Sequence, residues 1–383
     1  MIYFDNAATS FPKPEEVIAA MKDYFFHVGG NTGRSAHQAA LKASEIVFET
    51  REVLAKLFNI SDSSRIVFTK NATEALNFAI YGFLEKGDQV ITTSLEHNSV
   101  MRPLRHLEII GKIKLFIVSA NDKGIIEPKD FEKILKREKI KLVVVNHASN
   151  VTGTIAPIKE IARTAHKYGS TILIDAAQTA GVVNIDVNED EIDMLAFTGH
   201  KSLFGPQGTG GLYIREGIEL EPLIRGGTGS NSEEEIQPDF LPDKLESGTP
   251  NTIGIAGLGA GVKYVLRKGI SEIHQKEAEL TECFIKEAEK IERVILYGPR
   301  ETTKRVAVVS FNITGLTPSE VAYILDQEFG IACRPGLHCA PAAHKTIGTF
   351  PQGTVRFSFG YFNNISEIET GIKALHKISR RCV

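Results

Sequence analysis

Cysteine is scarce: only Cys283, Cys333, Cys339 and Cys382 occur among 383 residues. So few thiols in so long a chain do not make a disulfide framework. Long apolar runs are missing too. No window approaches ~18 consecutive apolar residues, so no segment reads as a membrane span. A surplus of one charge is also absent. Lys plus Arg is 44 against 47 Asp plus Glu, a net charge of -3, which argues against a broad electrostatic grip on nucleic acid. The opening stretch, Met1 followed by IYFDNAATS, lacks the basic and long apolar regions of a secretory signal, so a reducing cytoplasm is the expected location. There is no internal repeat and no low-complexity tract. What remains is 42% hydrophobic and 24% charged, an ordinary globular balance that excludes disorder. At roughly 150 residues per domain, two domains are expected.

Short β-rich runs alternate with helical stretches through the first two thirds. The expected strands are Arg65–Phe68, Gln89–Thr93, Lys114–Val118, Lys141–Asn146, Thr171–Asp175, Asp193–Phe197 and Gly210–Ile214. Several are continuous Val/Ile/Leu runs, the pattern of strands buried on both faces of a mostly parallel sheet. Asn71 and Glu74 before Leu76, Ile80 and Phe83 read as a capped helix start. This alternation predicts a three-layer α/β/α domain, residues 14–252. The last third reads as helices Ile255–Leu266 and Ile273–Ile291, strands near Val306–Phe311, Ile331–Arg334 and Val355–Phe359, and helices near Pro318–Glu328 and from Ser366. That is a smaller α+β domain, residues 253–383. The extended residues 1–13 are compatible with either domain and are grouped with the smaller one.

Ligands of open parallel sheets bind beyond the carboxyl ends of the strands. The polar residues expected there are Ala72-Thr73-Glu74 at a helix start, Glu96-His97, His147, Asn150, Asp175, Gln178 and Thr198-Gly-His200-Lys201. Each alone reads equally as a polar loop residue. Together they suggest one ligand. A helix N-terminus with Thr73 binds phosphate, and Thr198 and His200 can donate to it. A buried Asp175 needs a cationic partner, which a protonated pyridine nitrogen provides. Lys201 in a dry pocket becomes a nucleophile for aldehydes. The His97 imidazole can stack on a ring. Phosphate, pyridinium, aldehyde and ring face are the parts of pyridoxal 5'-phosphate.

The segment Thr198-Gly-His-Lys201-Ser-Leu-Phe-Gly-Pro-Gln-Gly resembles the lysine segment of class V aminotransferase-like enzymes, fold type I. Asp175-Ala-Ala-Gln178, Phe4-Asp-Asn-Ala-Ala-Thr9 and Glu96-His97 resemble their pyridine-binding, opening and ring-stacking segments. Arg334-Pro-Gly-Leu-His-Cys339-Ala-Pro resembles the cysteine loop of the second group of cysteine desulfurases, which also holds selenocysteine lyases. The resemblance spans nearly the whole chain in the same order. It implies a fold type I enzyme with pyridoxal phosphate bonded to Lys201. Asp175 is then the partner of the pyridine nitrogen, Gln178 the donor to the phenolic oxygen, and His97 the stacking imidazole. Ala72, Thr73, Thr198 and His200 contact phosphate, and Asn150 lies near ring and substrate. Arg356 holds the substrate carboxylate, with Arg334 beside it, and a guanidinium suits that bidentate task. Glu246-Ser-Gly-Thr249 implies a homodimer with shared active sites, Thr249 reaching the partner's phosphate. The implied reaction turns L-cysteine into L-alanine and a persulfide on Cys339, passed to an acceptor protein such as one in iron–sulfur cluster assembly. The alternative is a selenocysteine lyase or another C–S lyase, acting on L-selenocysteine. Leu337 stands where His is common and Pro335 where Thr is common, and Ala340–Thr349 reads as a variant branch.

For Cys339 the competing reading is an inert buried thiol. Its neighbours Arg334 and His338, read as cationic, favour a reactive one. Cys333 reads as core, and Cys283 and Cys382 as bystanders. Cys333, His338, Cys339 and His344 cluster without the usual zinc spacings, so no metal is expected. Gly205–Gly211 and Gly226–Gly229 read as tight turns near the cofactor. Arg34 and His37 read equally as lining the mouth or as a helix-start pair.

Overall fold

A computed structural model describes residues 1–32, 37–231 and 233–381. Thirteen strands are found among them. They are β1 (Ile2–Tyr3), β2 (Ile66–Thr69), β3 (Asp88–Thr93), β4 (Ile113–Val118), β5 (Leu142–Asn146), β6 (Thr171–Asp175) and β7 (Met194–Thr198). There follow β8 (Gly210–Ile214), β9 (Val294–Tyr297), β10 (Val308–Ile313), β11 (Ile331–Ala332), β12 (Arg334–Gly336) and β13 (Thr354–Ser358).

Strands β2 to β8 form one seven-stranded sheet in the order β2-β8-β7-β6-β5-β3-β4. The ladders from β4 through β7 are parallel. Strand β8 is antiparallel to both β7 and β2, so β2 runs the same way as β7. Six of the seven strands therefore point their carboxyl ends at one edge. Period-two geometry with both faces covered explains why the interiors of β5, β6 and β7 lack polar residues. Val143, Val145, Ile172, Ile174, Leu195 and Phe197 pack into one hydrophobic core. Their alternates Leu142, Val144, Leu173, Met194 and Ala196 pack into another on the opposite face. Each of these side chains larger than alanine contributes about 1.5–3 kcal/mol by leaving water. The expected α/β/α architecture is found, with strand ends shifted by one residue at most.

A second sheet, β12-β13-β10-β9, is antiparallel, and β1 pairs with β11 in parallel beside it. Its core is aromatic: Phe4, Phe284, Phe311, Phe357 and Phe359 touch in tilted and edge-on pairs. Phe4 anchors the opening segment there. Two differences from the sequence reading stand out. The helix expected to reach Ile291 ends at Ala288, and β9 follows it. Ile291 continues the helical spacing, but its burial comes from the turn that leads into β9. The helix Thr252–Lys268 packs against the helices Gln38–Phe58 and Glu15–Asp23, away from the aromatic core. No helix among the described residues is long and apolar enough to cross a membrane.

Candidate active site

A cavity of about 310 Å³ opens at the carboxyl edge of the large sheet. Strands β2, β3, β5, β6 and β7 contribute through their carboxyl ends and the turns that follow them. After β2, Asn71 caps the helix Ala72–Phe83, its side chain accepting from the Glu74 amide at 2.9 Å. Ala72 and Thr73 in that first turn line the cavity, where helix amides lack intrahelical partners. After β3, His97 caps the helix Asn98–Ile109. Its Nδ1 accepts the Ser99 amide at 3.1 Å and lies 2.8 Å from Ser99 Oγ, which is 2.7 Å from Thr73 Oγ1. An Nδ1 that accepts a backbone N–H carries no proton, so the neutral ring is protonated at Nε2. Burial, aided by the charges of Lys201, Arg356 and Arg102, pushes this imidazole down to about 4.

Asp175 ends β6, 6% exposed, with Oδ1 accepting the Ala177 amide at 2.9 Å. Burial raises its carboxyl, opposed by that amide and by Lys201. Gln178 donates to the Ala7 carbonyl at 3.1 Å, which ties it to the opening segment. Thr198 closes β7, and Gly199, His200 and Lys201 follow. A Cβ at Gly199 would run into the Thr209 side chain, so this turn is closed to larger residues. Burial pushes the Lys201 ammonium down to about 8, with Asp175 opposing and Arg356 and Arg334 assisting.

The other wall comes from the second sheet. Arg334 and Arg356 face each other in register across β12 and β13. Like charges so placed repel, and Asp5 of the opening segment lies between them. Its Oδ1 accepts from Arg356 Nη2 at 3.0 Å and its Oδ2 from Arg334 Nη2 at 2.8 Å. Arg356 also donates to the Asn150 carbonyl at 3.2 Å. The Asn150 amide donates to the His338 carbonyl at 2.6 Å. Cys339 is exposed, lines the same cavity, and accepts at its carbonyl from the Asn98 amide at 2.7 Å. His338 and Cys339 are consecutive left-handed residues, φ 49° and 56°. Each such non-glycine residue costs on the order of 1–3 kcal/mol and persists where its surroundings over-determine it.

Of the residues singled out from sequence, Ala72, Thr73, His97, Asn150, Asp175, Gln178, Thr198, His200, Lys201, Arg334, Cys339 and Arg356 all line this one cavity. Thr249 does not; it lines a separate cavity of about 810 Å³. The glycine runs also depart from expectation: Gly208, Gly210, Gly227 and Gly229 border that second cavity, not the first. His147 is buried away from the cavity lining. His338 is not a cationic neighbour of the thiol. Burial, and then the charge of Arg356, push it down to about 3, leaving Arg334 and Arg356 in that role. Cys333 packs against the aromatic core, as expected, and burial pushes its thiol up to about 12. Cys283 packs there too, while Cys382 lies outside the described residues. His37 caps the helix Gln38–Phe58, the helix-start reading, and Arg34 lies outside the described residues. Among the described residues, no three His, Cys, Asp or Glu side chains are grouped to hold a metal. Asp5 and Ser99 are site residues the sequence did not single out. Asp5 stood inside the Phe4–Thr9 segment, and the signal for its role was that a buried arginine on β13 needs an acid.

Four buried polar atoms of cavity residues have no partner within the protein: Asn150 Oδ1, Thr198 Oγ1, His200 Nδ1 and Arg356 Nε. Unmatched buried groups are rare unless a ligand completes them. With a free helix start, an enclosed carboxyl and an enclosed amine, this donor set fits pyridoxal phosphate.

The chain belongs to the class-V aminotransferase family, whose description, Aminotransferase class-V, matches residues 2–370. The enzymes of this family depend on pyridoxal phosphate. Among its relatives, a protein named "Probable cysteine desulfurase" from Pyrococcus abyssi is 38% identical over 99% of this chain and 94% of its own length. Another of that name, from Methanothermobacter thermautotrophicus, is 39% identical, again over 99% and 94%. The solved structure of apo cysteine desulfurase from Thermococcus onnurineus superposes with a TM-score of 0.92 at 37% identity, covering 99% of this chain and 95% of that one. The Escherichia coli cysteine desulfurase CsdA, in an S-sulfonic acid form, gives 0.88 at 27% identity over 100% and 95%.

Proposed function

We propose that this chain is a pyridoxal phosphate-dependent cysteine desulfurase, converting L-cysteine to L-alanine and holding the sulfur as a persulfide on Cys339. The observation that carries this reading is the single cavity lined by Lys201, Asp175, Arg356 and Cys339. When bound, the cofactor supplies an aldehyde for amines and an electron sink for the substrate α-carbon. Thr198, His200 and the free amides at Ala72 and Thr73 hold the phosphate, Asp175 keeps a proton on the ring nitrogen, and Gln178 and His97 orient the ring. Lys201 anchors the cofactor at rest and, with its lowered basicity, takes the α-proton of cysteine once released. Arg356 receives the substrate carboxylate, its unpartnered Nε being the available donor. Cys339 Sγ attacks the cysteine sulfur: an S–S bond forms, the C–S bond breaks, and its electron pair stays on the carbon skeleton. Protonation of that carbon gives alanine. The persulfide, at an exposed position, then passes its outer sulfur to an acceptor protein in the cytoplasm.

The same reading makes the protein a homodimer in which Thr249 completes the partner's phosphate site. Its support is the placement of Thr249 on the larger cavity beside Phe48, one of several exposed aromatics with Phe25 and Phe26. The test combines purified protein with L-cysteine and reads alanine and the mass of the Cys339 peptide, expected to gain one sulfur. Lys201→Ala is expected to lose the absorbance shift of bound cofactor, and Cys339→Ala to keep cofactor but release no sulfur. Full cysteine turnover in Cys339→Ala rejects the persulfide. A parent protein that turns over L-selenocysteine but not L-cysteine, with that activity kept in Cys339→Ala, identifies the lyase reading instead.

A further inference from the structure

A file of hydrogen bonds runs behind Cys339 through residues that the reaction above does not use. His338 Nε2 lies 3.0 Å from the Arg334 carbonyl, His338 Nδ1 lies 3.2 Å from His344 Nε2, and His344 Nδ1 lies 2.7 Å from Thr349 Oγ1. Elementary hydrogen-bond chemistry fixes its direction. A carbonyl only accepts, so His338 carries its proton on Nε2. Its Nδ1 must then accept, so His344 donates from Nε2. The Nδ1 of His344 must accept in turn, so Thr349 donates its hydroxyl proton. Both imidazoles are neutral, in agreement with the burial that pushes them down to about 3 and about 4. His344 is fully buried, and it does not line the cavity.

Both nitrogens of His338 are committed, so it has no proton to exchange with substrate although the residue borders the cavity. Its remaining role is mechanical. The loop it belongs to holds two successive left-handed residues, His338 and Cys339. Their carbonyls are tied to the large sheet's side, to the Asn150 amide and the Asn98 backbone amide. The imidazole file ties the same loop from behind, to β12 and to the helix Pro341–Thr346 and the turn after it. A thiol that must meet a substrate sulfur needs both anchors, because a misplacement of ~1 Å costs on the order of a hundredfold in rate.

We propose that His344 is a positioning residue for Cys339: acting through His338 and oriented by Thr349, it fixes the left-handed loop that presents the thiol. The proposal rests on the desulfurase reading for its rate effect but not for its effect on the loop. The variants are His344→Leu, which cuts the file; His344→Gln, whose amide N–H can take the place of the Nε2 donor; and Thr349→Val, which removes only the last donor. Each is purified with cofactor bound. With His344→Leu, cysteine kcat is expected to fall about a hundredfold while KM stays within about threefold. Elimination of chloride from β-chloroalanine, which needs Lys201 but no thiol attack, is expected to stay within about twofold. His344→Gln is expected to recover most of the lost kcat, and Thr349→Val to lose a smaller factor, about three- to tenfold.

Amide hydrogen exchange over residues 334–340 is the second readout, expected to speed up in His344→Leu. A kcat within threefold of the parent, a parallel loss of β-chloroalanine elimination, or a Gln variant no better than Leu overturns the proposal. If His344→Leu does not fold, Thr349→Val decides, and an unchanged cysteine kcat there overturns it. If the parent protein does not turn over cysteine, the desulfurase reading has failed separately. Hydrogen exchange then decides alone, and equal exchange in parent and variants overturns the loop anchor.

Discussion

Asp5 holds two arginines, and the structure assigns the two pairs very different worth. The Asp5 side chain is 13% exposed, against 3% for Arg356 and 49% for Arg334. The Arg334 pair, although bidentate, is open to solvent on the arginine side. Screening leaves such a pair about 0–1 kcal/mol. The Arg356 pair is enclosed. Removing the acid strands a buried guanidinium whose only other partner among the described residues is the Asn150 carbonyl. Breaking a buried pair from one side costs about 3–5 kcal/mol. Asp5→Ala is therefore expected to lower the unfolding free energy of the apoprotein by about that amount. Asp5→Asn keeps one acceptor and drops the charge, so it should lose about 1.5–3 kcal/mol, the worth of a charge-assisted hydrogen bond. Arg334→Ala should lose no more than about 1 kcal/mol. The decisive arm is the background Arg356→Met. There the buried charge is already gone, and adding Asp5→Ala should cost about 1 kcal/mol or less, a coupling visible in a double-mutant cycle. Urea unfolding followed by circular dichroism reads the parent and all five variants. If Asp5→Ala costs no more than Arg334→Ala, or costs the same with and without Arg356, the assignment of the energy to the Arg356 pair is wrong.

Lys201 titrates at about 8 instead of 10.5. At pH 7 about a tenth of it is the neutral amine that bonds to an aldehyde, against roughly 0.03% for an ordinary lysine. Uptake of pyridoxal phosphate by the apoprotein, followed by absorbance, should rise with pH to about 8 and then level off. A rate still climbing at pH 10 rejects the lowered amine. Glu277 is buried on the helix Ile270–Ala288, and desolvation raises its carboxyl from 4.5 to about 8. The folded state keeps a proton that the unfolded chain releases above 4.5, so stability present below 4.5 is lost as pH rises through about 8. Glu277→Gln removes this slope. Unfolding midpoints compared at pH 5 and pH 9 should differ less in the variant than in the parent, and an equal difference in both counts against a protonated Glu277.

The sheet was legible because its strands are buried on both faces, which writes a continuous Val/Ile/Leu signal into residues such as 142–145. The site was legible because an open parallel sheet collects its ligand groups at one edge, so Asp175, Thr198 and Lys201 announce themselves by standing just after apolar runs. What stayed hidden is whatever depends on contacts across the chain. Asp5 meets Arg356 at a separation of 351 residues, and although Asp5 stands in the Phe4–Thr9 segment, no local pattern names its arginine partners. The His338–His344 pair was visible as a cluster, but composition alone left metal ligand and cationic neighbour as the readings to weigh. Only its geometry, a one-way file of neutral donors ending on the Arg334 carbonyl, excludes a proton-exchanging role and makes the pair a strut. Helix ends were hidden for a related reason. Ile291 keeps the helical spacing of Leu280, Phe284 and Ala288, yet its burial comes from the turn into β9. Periodicity records which side chains are buried, and a turn that buries the next apolar residue is indistinguishable from one more helical step.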